Sequence, residues 1–355
     1  MKKPDANLPR PSQRADSAGV ADPSVPSSRA ASPDECLHIT LYDADGTERD
    51  VALEQIDVAV LQEQQLLWID VECDNAELVE RIGRKLGLPG PAILALQRMN
   101  TTPSVNTFGS CFHLQAVAVA HAGGLKFNGS VLGIVAGANF VLSVHHAPVA
   151  LIGQLRERER GESELGALSA ESFTASLLDW QLSTYFDAVA DFEAAAERLE
   201  VDILSEKNSQ CLEDLRRLRR GASRLRRMLA PHRALFAGLA RPDFRPRSSG
   251  EINVHFQNLD IHYERAMDIV ENTRDLVVGS FGLFSSQTAL RTNDSMRVLT
   301  FATVLIGTLA VVAGVLGMNF EAAIFKAGNG FWWALAAMGA VAIVAVLLAR
   351  RWRWL

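Results

Sequence analysis

The sequence predicts an α/β domain joined by a long helix to two membrane-spanning helices at its C-terminal end. Three observations carry that reading. Residues 36–148 alternate β-rich runs with helical ones, strand signals stop at about Ser169, and two uncharged stretches of 23 residues, Val298 to Phe320 and Ala327 to Ala349, lie near the end of the 355-residue chain. A helix rises about 1.5 Å per residue, so roughly 20 residues cross a hydrocarbon core of about 30 Å. A soluble core helix of that length would carry charges on one face, and these stretches carry none.

Taken in order, residues 1–35 hold six of the 13 prolines with many Ser and Ala. Such a segment has too little apolar surface to fold, so it is expected to be disordered. A compact α/β domain is expected over 36–165, with strands at Leu37 to Tyr42, Leu66 to Val71, Phe112 to Val119 and Val131 to Val144, and a helix from Ala76 to Leu86 closed by Gly87 and Pro89. Helices are expected over about 170–207 and 211–240, forming a hairpin within 166–250, and over 251–318. The last divides into a stalk (251–296) and a first span (297–320), followed by an outer loop (321–329), a second span (330–349) and a basic tail (350–355). No apolar run near Met1 resembles a signal peptide.

Charge orients these pieces. Arg297 precedes the first span, and Arg350, Arg351 and Arg353 follow the second, whereas the short loop between the spans carries Glu321 and Lys326. The positive-inside rule therefore puts both termini in the cytoplasm of a cell or inner membrane. The formal net charge is −6, and residues 1–296 alone carry −10. An acidic cytoplasmic part would gather cations, though ordinary solubility charge accounts for the same number, and it argues against nucleic acid as a partner. The four cysteines, Cys36, Cys73, Cys111 and Cys211, are far apart and form neither a disulfide framework nor a zinc ribbon.

Within 251–296, apolar residues recur at alternating spacings of four and three: Ile252, Phe256, Leu259, Tyr263, Ala266, Val270, Val277 and Phe284, with Thr273 and Ser280 interrupting. This is a heptad seam. Continued into the first span, the helix would cover about 68 residues and about 100 Å. Its seam calls for partners, which predicts a homo-oligomeric stalk. The arginine-rich run Arg216, Arg217, Arg219, Arg220, Arg224, Arg226 and Arg227 has no interleaved aromatic residues for stacking bases. It is expected to be a solvated face paired with acids such as Glu193, Glu197 and Glu200. His145 and His146 are adjacent on a strand, so they point to opposite faces and cannot share one ion. His255 and His262, seven apart on the stalk, could face a neighbouring copy, but surface histidines are the commoner explanation.

The first span ends in Gly314-Val315-Leu316-Gly317-Met318-Asn319-Phe320. A ring of Asn319 side chains in an oligomer presents neutral oxygens, which suit a cation that keeps its water, as magnesium does. An asparagine at a span end is also a common interfacial residue. The segment Asn293 to Thr300, then Gly314, Gly317-Met318-Asn319-Phe320-Glu321, a second span and Arg350-Arg351-Trp352-Arg353-Trp354-Leu355 together resemble the CorA-type magnesium transporter family. The resemblance is strong over about 250–355 and architectural over about 36–250.

That resemblance implies a homopentamer with a cytoplasmic α/β funnel domain, a stalk and an axial pore, conducting magnesium or cobalt passively across the bilayer. It implies no enzyme activity and no cofactor beyond the transported cation. By position, the pore is expected to be lined by Asn293, Met296, Leu299, Thr303, Gly307, Ala310 and Gly314. Gly317, Met318 and Asn319 form the selectivity and ion-binding signature, with Asn319 holding the hydrated cation. Met296 and Leu299 would form an apolar constriction that gates by dewetting, while Glu321 and Lys326 set opposing fields at the outer mouth. Several positions depart from the family pattern. Leu316 replaces an aromatic residue, Thr308 a proline and Gly307 a bulky mid-pore Met, while Gly282 and Phe108-Gly109-Ser110 stand where acids of an intracellular divalent-ion sensor are common. The alternatives are a zinc transporter of the same fold, possibly coupled to protons, and a membrane-tethered structural protein. No phosphate-loop, dinucleotide, nucleophile-elbow or zinc-protease motif supports an anchored enzyme.

Overall fold

The computed structural model describes residues 36–62, 64–121, 125–159, 165–205, 210–244, 250–318 and 329–351. The segment expected to be disordered and residues 352–355 of the basic tail lie outside them, while Arg350 and Arg351 close the last helix. Strands β1 (Leu37–Asp43), β2 (Glu48–Asp50), β3 (Gln65–Glu72), β4 (Ser104–Phe108), β5 (Cys111–His121), β6 (Phe127–Ala136) and β7 (Phe140–His145) form one sheet. Its order is β2-β1-β3-β7-β6-β5-β4. Only the β3–β7 pair is parallel.

The period-2 alternation of the strands builds two cores. Leu67, Ile69 and Val71 of β3 point to one face, packing with α1 (Ala76–Lys85) and α2 (Gly90–Gln97). Leu66 and Trp68 point to the other, packing with α3 (Ala150–Arg158), α4 (Ala170–Ser205), α5 (Cys211–Leu229), α6 (Arg233–Leu239) and α7 (Gly250–Leu316). Helix α8 (Gly330–Arg351) stands apart from both cores. Helix α1 begins on Asn75, whose side chain accepts from Leu78 N at 3.0 Å, and ends at Gly87, whose φ of +67° needs a residue without Cβ.

Two expectations are corrected, and two strands are added to those expected. The run Val131 to Val144 is two strands, because Gly137 turns the chain and its N–H donates to Phe140 O at 3.0 Å. Strands β2 and β4 give weak sequence signals because they are short, polar sheet edges, the usual way to keep an edge from pairing with other chains. The arginine run does not pair with Glu193, Glu197 and Glu200. Arg217 and Arg220 meet Glu213 in the first turn of their own helix, and Arg226 meets Glu271 of α7 at 3.4 Å.

Strand β5 runs on past the end of β4, so its edge needs other partners from Val117 onward. The helical layer supplies them. Val117 N donates to His232 Nε2 at 2.9 Å, Val117 O accepts from Gln181 Nε2 at 2.6 Å and from Tyr185 OH at 2.9 Å, and Val119 N donates to Thr184 Oγ1 at 3.0 Å. Because Nε2 of His232 must accept, the ring has to stay neutral, and burial holds its pKa down at about 4. His113 is likewise held at about 4 by burial.

A polar cluster crosses the β3–β7 pair. Trp68 Nε1 donates to Ser143 Oγ at 3.0 Å, Ser143 Oγ donates to Asp70 Oδ1 at 2.5 Å, and His145 Nε2 lies 3.3 Å from the same carboxylate. Burial works against a charged His145, yet its hydrogen bond to Asp70 and that group's charge outweigh burial and raise its pKa. His146 is partly exposed and faces Asp74 instead, so the two histidines diverge as strand alternation requires.

Candidate functional site

The candidate site is built on α7, a single helix of 67 residues. Its first half is a core helix. Phe256, Leu259, Tyr263, Ala266, Val270 and Val277 are buried, as are Thr273 and Ser280 at the two interrupted heptad positions. The hydroxyls there are satisfied locally: Thr273 donates to Val270 O at 2.7 Å, and Ser280 donates to Glu200 Oε1 at 2.8 Å. This corrects the expectation that the seam needs other copies of the chain. From Phe256 to Ser280 it is covered by helices of the same chain, chiefly α4, α5 and α6. His262 lies on the surface as expected, where its Nδ1 meets Asp179 Oδ1 of α4 at 2.7 Å.

Beyond Phe284 the helix leaves that body, and every residue from Thr288 to Thr300 is exposed. The following stretch reaches a mean hydropathy of 2.3 with none of its most apolar window buried, and α8 has the same character. Two helices of this length and composition can each cross a bilayer. They pack against each other through an apolar groove of about 290 Å³, lined on α7 by Thr308, Leu309, Val312 and Leu316 and on α8 by Trp333, Ala337 and Val341 among others.

At 3.6 residues per turn, each residue advances about 100° around the helix. Thr308, Leu309, Val312 and Leu316 thus form one stripe, and it is the stripe that faces α8. Met296, Leu299, Thr303, Gly307, Ala310 and Gly314 lie about 180° away on average, and Asn293 lies at the edge of that opposite row. All seven are exposed, Met296 at 61% and Leu299 at 67%. The structure therefore brings these sequence-selected positions onto one face, and α8 leaves that face open. A Cβ added at Gly307 or Gly314 would meet nothing within 4 Å.

The chemistry of the face follows from its side chains. Thr303 donates its hydroxyl proton to Leu299 O at 2.8 Å, so only oxygen lone pairs turn outward. Waters around a cation present hydrogens, and an acceptor of this kind matches them. Thr292, which donates to Thr288 O at 2.9 Å, extends the polar end of the row by the same arrangement. Sequence inspection passed over it, although its spacing from Met296 and Leu299 marks it.

Helix α7 ends as Gly317 N donates to Ala313 O at 2.9 Å and Met318 N to Val315 O at 3.3 Å. A helix C-terminus carries partial negative charge on its last carbonyls, which favours a nearby cation. Gly317 and Met318 sit at this end, and both are exposed. Asn319, Glu321 and Lys326 fall outside the described residues. Among the described residues, no group of three or more His, Cys, Asp or Glu side chains is placed to hold a metal ion. Gly109 sits at the β4–β5 turn with a φ of +63°.

Comparison with known proteins agrees with this architecture. A "Cobalt/magnesium transport protein CorA" of Thermotoga maritima is 24% identical over 292 residues, covering 81% of this chain and 83% of that one. A "Divalent cation transporter CmaX" of Pseudomonas aeruginosa is 29% identical over 227 residues, covering 63% of this chain and 67% of that protein. The complete structure of the CorA magnesium transporter from Methanocaldococcus jannaschii superposes with a TM-score of 0.70 at 20% identity, covering 89% of this chain and 98% of that one, so the fold is shared. The family model for the CorA-like Mg2+ transporter protein matches residues 63–351, which span strands β3 to β7, the long helix and both apolar helices, and the chain belongs to that family.

Proposed function

We propose that the protein carries divalent metal cations passively across a membrane, with magnesium as the principal ion and cobalt as a second. The observation that carries this reading is the open row on α7, which lies opposite α8 and so remains free to line a pathway between several copies. A homopentamer with both termini in the cytoplasm satisfies the geometry and the charge pattern. The row Asn293, Met296, Leu299, Thr303, Gly307, Ala310 and Gly314 then faces the axis. Gly317, Met318 and Asn319 form the outer mouth, where Asn319 accepts hydrogen bonds from the water shell of the cation. Met296 and Leu299 close the row with apolar side chains that exclude water when the copies tighten. Glu321 attracts cations to the mouth, and Lys326 offsets part of that field. The chemistry is transport, with the metal as cargo, and no step of it makes or breaks a covalent bond.

Ion flux into proteoliposomes, measured for magnesium, cobalt and zinc with and without a proton gradient, tests this. Gradient-driven magnesium entry that Asn319→Ala abolishes, with the oligomer intact by size-exclusion chromatography, is the expected result. Full uptake in that variant would remove Asn319 from the role assigned to it. Zinc entry driven by protons would replace the magnesium reading, and no flux of any ion would leave a tethered, non-transporting protein.

A further inference from the structure

A groove of about 540 Å³ lies between α5 and α7, away from the row that lines the proposed pathway. Its walls include Arg219, Ser223, Arg226 and Arg227 of α5 and Arg274 of α7, and its floor is Ala222, Val270, Val277, Val278 and Phe281. Arg219, Ser223, Arg226 and Arg227 follow one another at i, i+4, i+7 and i+8, so they share one face of α5. Arg226 is held by Glu271 at 3.4 Å. For Arg219, Arg227 and Arg274, no carboxylate among the described residues lies within ion-pair distance. Four guanidinium groups with one carboxylate between them form a positive pocket on a body whose residues 1–296 carry −10.

Such a pocket selects its ligand on two counts. Guanidinium groups match phosphate oxygens in shape and charge and stack on planar rings. The floor adds an apolar requirement, since Val278 is 62% exposed and Phe281 is only partly buried. An inorganic anion would leave those side chains in water, whereas an organic body covers them. The volume falls in the range of small-molecule sites, roughly 300–1,000 Å³. A lipid headgroup is out of reach: Arg297 lies 16 positions beyond Phe281, about 24 Å of helix, well beyond the screening length of about 8 Å. We infer that this groove is a binding site for a soluble organic phosphate, of the class of a nucleoside di- or triphosphate, with Arg219, Arg227 and Arg274 on the phosphates and Val278 and Phe281 under the organic body.

The test reads binding rather than flux, so it stands apart from the transport reading. Titration calorimetry on the full-length detergent-solubilised protein, in chelator and without divalent ions, measures adenosine triphosphate, inorganic triphosphate and a short-chain anionic phospholipid. Saturable nucleotide binding is expected, about tenfold or more weaker in Arg274→Gln and in Arg219→Gln, each loss of a charge-assisted contact being of that size. Val278→Asp should also weaken it, and Arg216→Gln, which does not line the groove, should not. Absence of saturable nucleotide binding would overturn the inference. So would unchanged affinity in Arg274→Gln and Arg219→Gln, tighter binding of the phospholipid than of the nucleotide, or arginine variants that change the size of the oligomer while no nucleotide binds.

Discussion

The two halves of α7 share one backbone and live in two different environments. From Phe256 to Ser280 the helix has one apolar seam, and the seam is buried by α4, α5 and α6. From Val298 to Leu316 it is apolar all round, and α8 covers a single stripe. The difference teaches what each half needs from other copies. The first half is complete within one chain, whereas the second buries its remaining apolar surface only in lipid or against further copies.

Substitutions that act on one half and spare the other sharpen this comparison. The largest expected stability effect is in the first half. Phe256 is fully buried, with Phe244 edge-on at 5.6 Å, and Phe256→Ala should cost about 3–5 kcal/mol in denaturant unfolding. Leu299→Ser and Met296→Ser should leave that transition in place and raise the resting leak of cations from loaded proteoliposomes. An unchanged leak would put the constriction elsewhere on the row.

The next effect is set by pH. His113 and His232 stay neutral in the fold down to about pH 4, whereas in the unfolded chain they take up protons below about 6.5. The unfolded state therefore binds more protons between these values, and stability falls as pH drops from about 6.5 to about 4. His145 has the opposite sign. Its raised pKa contributes stability that is present below about 6.5 and is lost as pH rises through the raised value. Chemical denaturation at a series of pH values should show the acid-side fall, and His232→Gln should flatten it. A profile unaffected by that substitution would break the assignment.

Smaller effects mark the boundary between the halves. Ser280→Ala removes the 2.8 Å hydrogen bond to Glu200 where α4 parts from α7 and should cost about 1 kcal/mol. Gly307→Ala should be the mildest for folding. Its Cβ meets no atom of the protomer within 4 Å, and alanine gains up to about 1 kcal/mol of helix propensity. Conductance should nevertheless fall if the proposed pentamer holds, because five methyl groups would then narrow the axis at that level. An unchanged conductance would mean that Gly307 does not face the pathway.

Periodicity and composition by themselves determined the two apolar helices, the seam of α7, the main strands and the turn at Gly87, because each of these is a local pattern with a physical period. The motif around Gly317, Met318 and Asn319 pointed to the family on residues that need no tertiary contact to be recognised. Tertiary structure alone decided the rest. The division of Val131 to Val144 into β6 and β7 depends on a turn at Gly137, which the apolar residues on either side mask in the sequence. The partners of the arginines depend on which helices lie side by side, so Glu213 and Glu271 were chosen over Glu193, Glu197 and Glu200. The open row of α7 could not be separated from the covered stripe by residue type, since the first span is apolar on every side. The family resemblance named the row by position, but its physical separation from the covered stripe came only from the position of α8, because contact between helices is a property of their packing and not of either sequence.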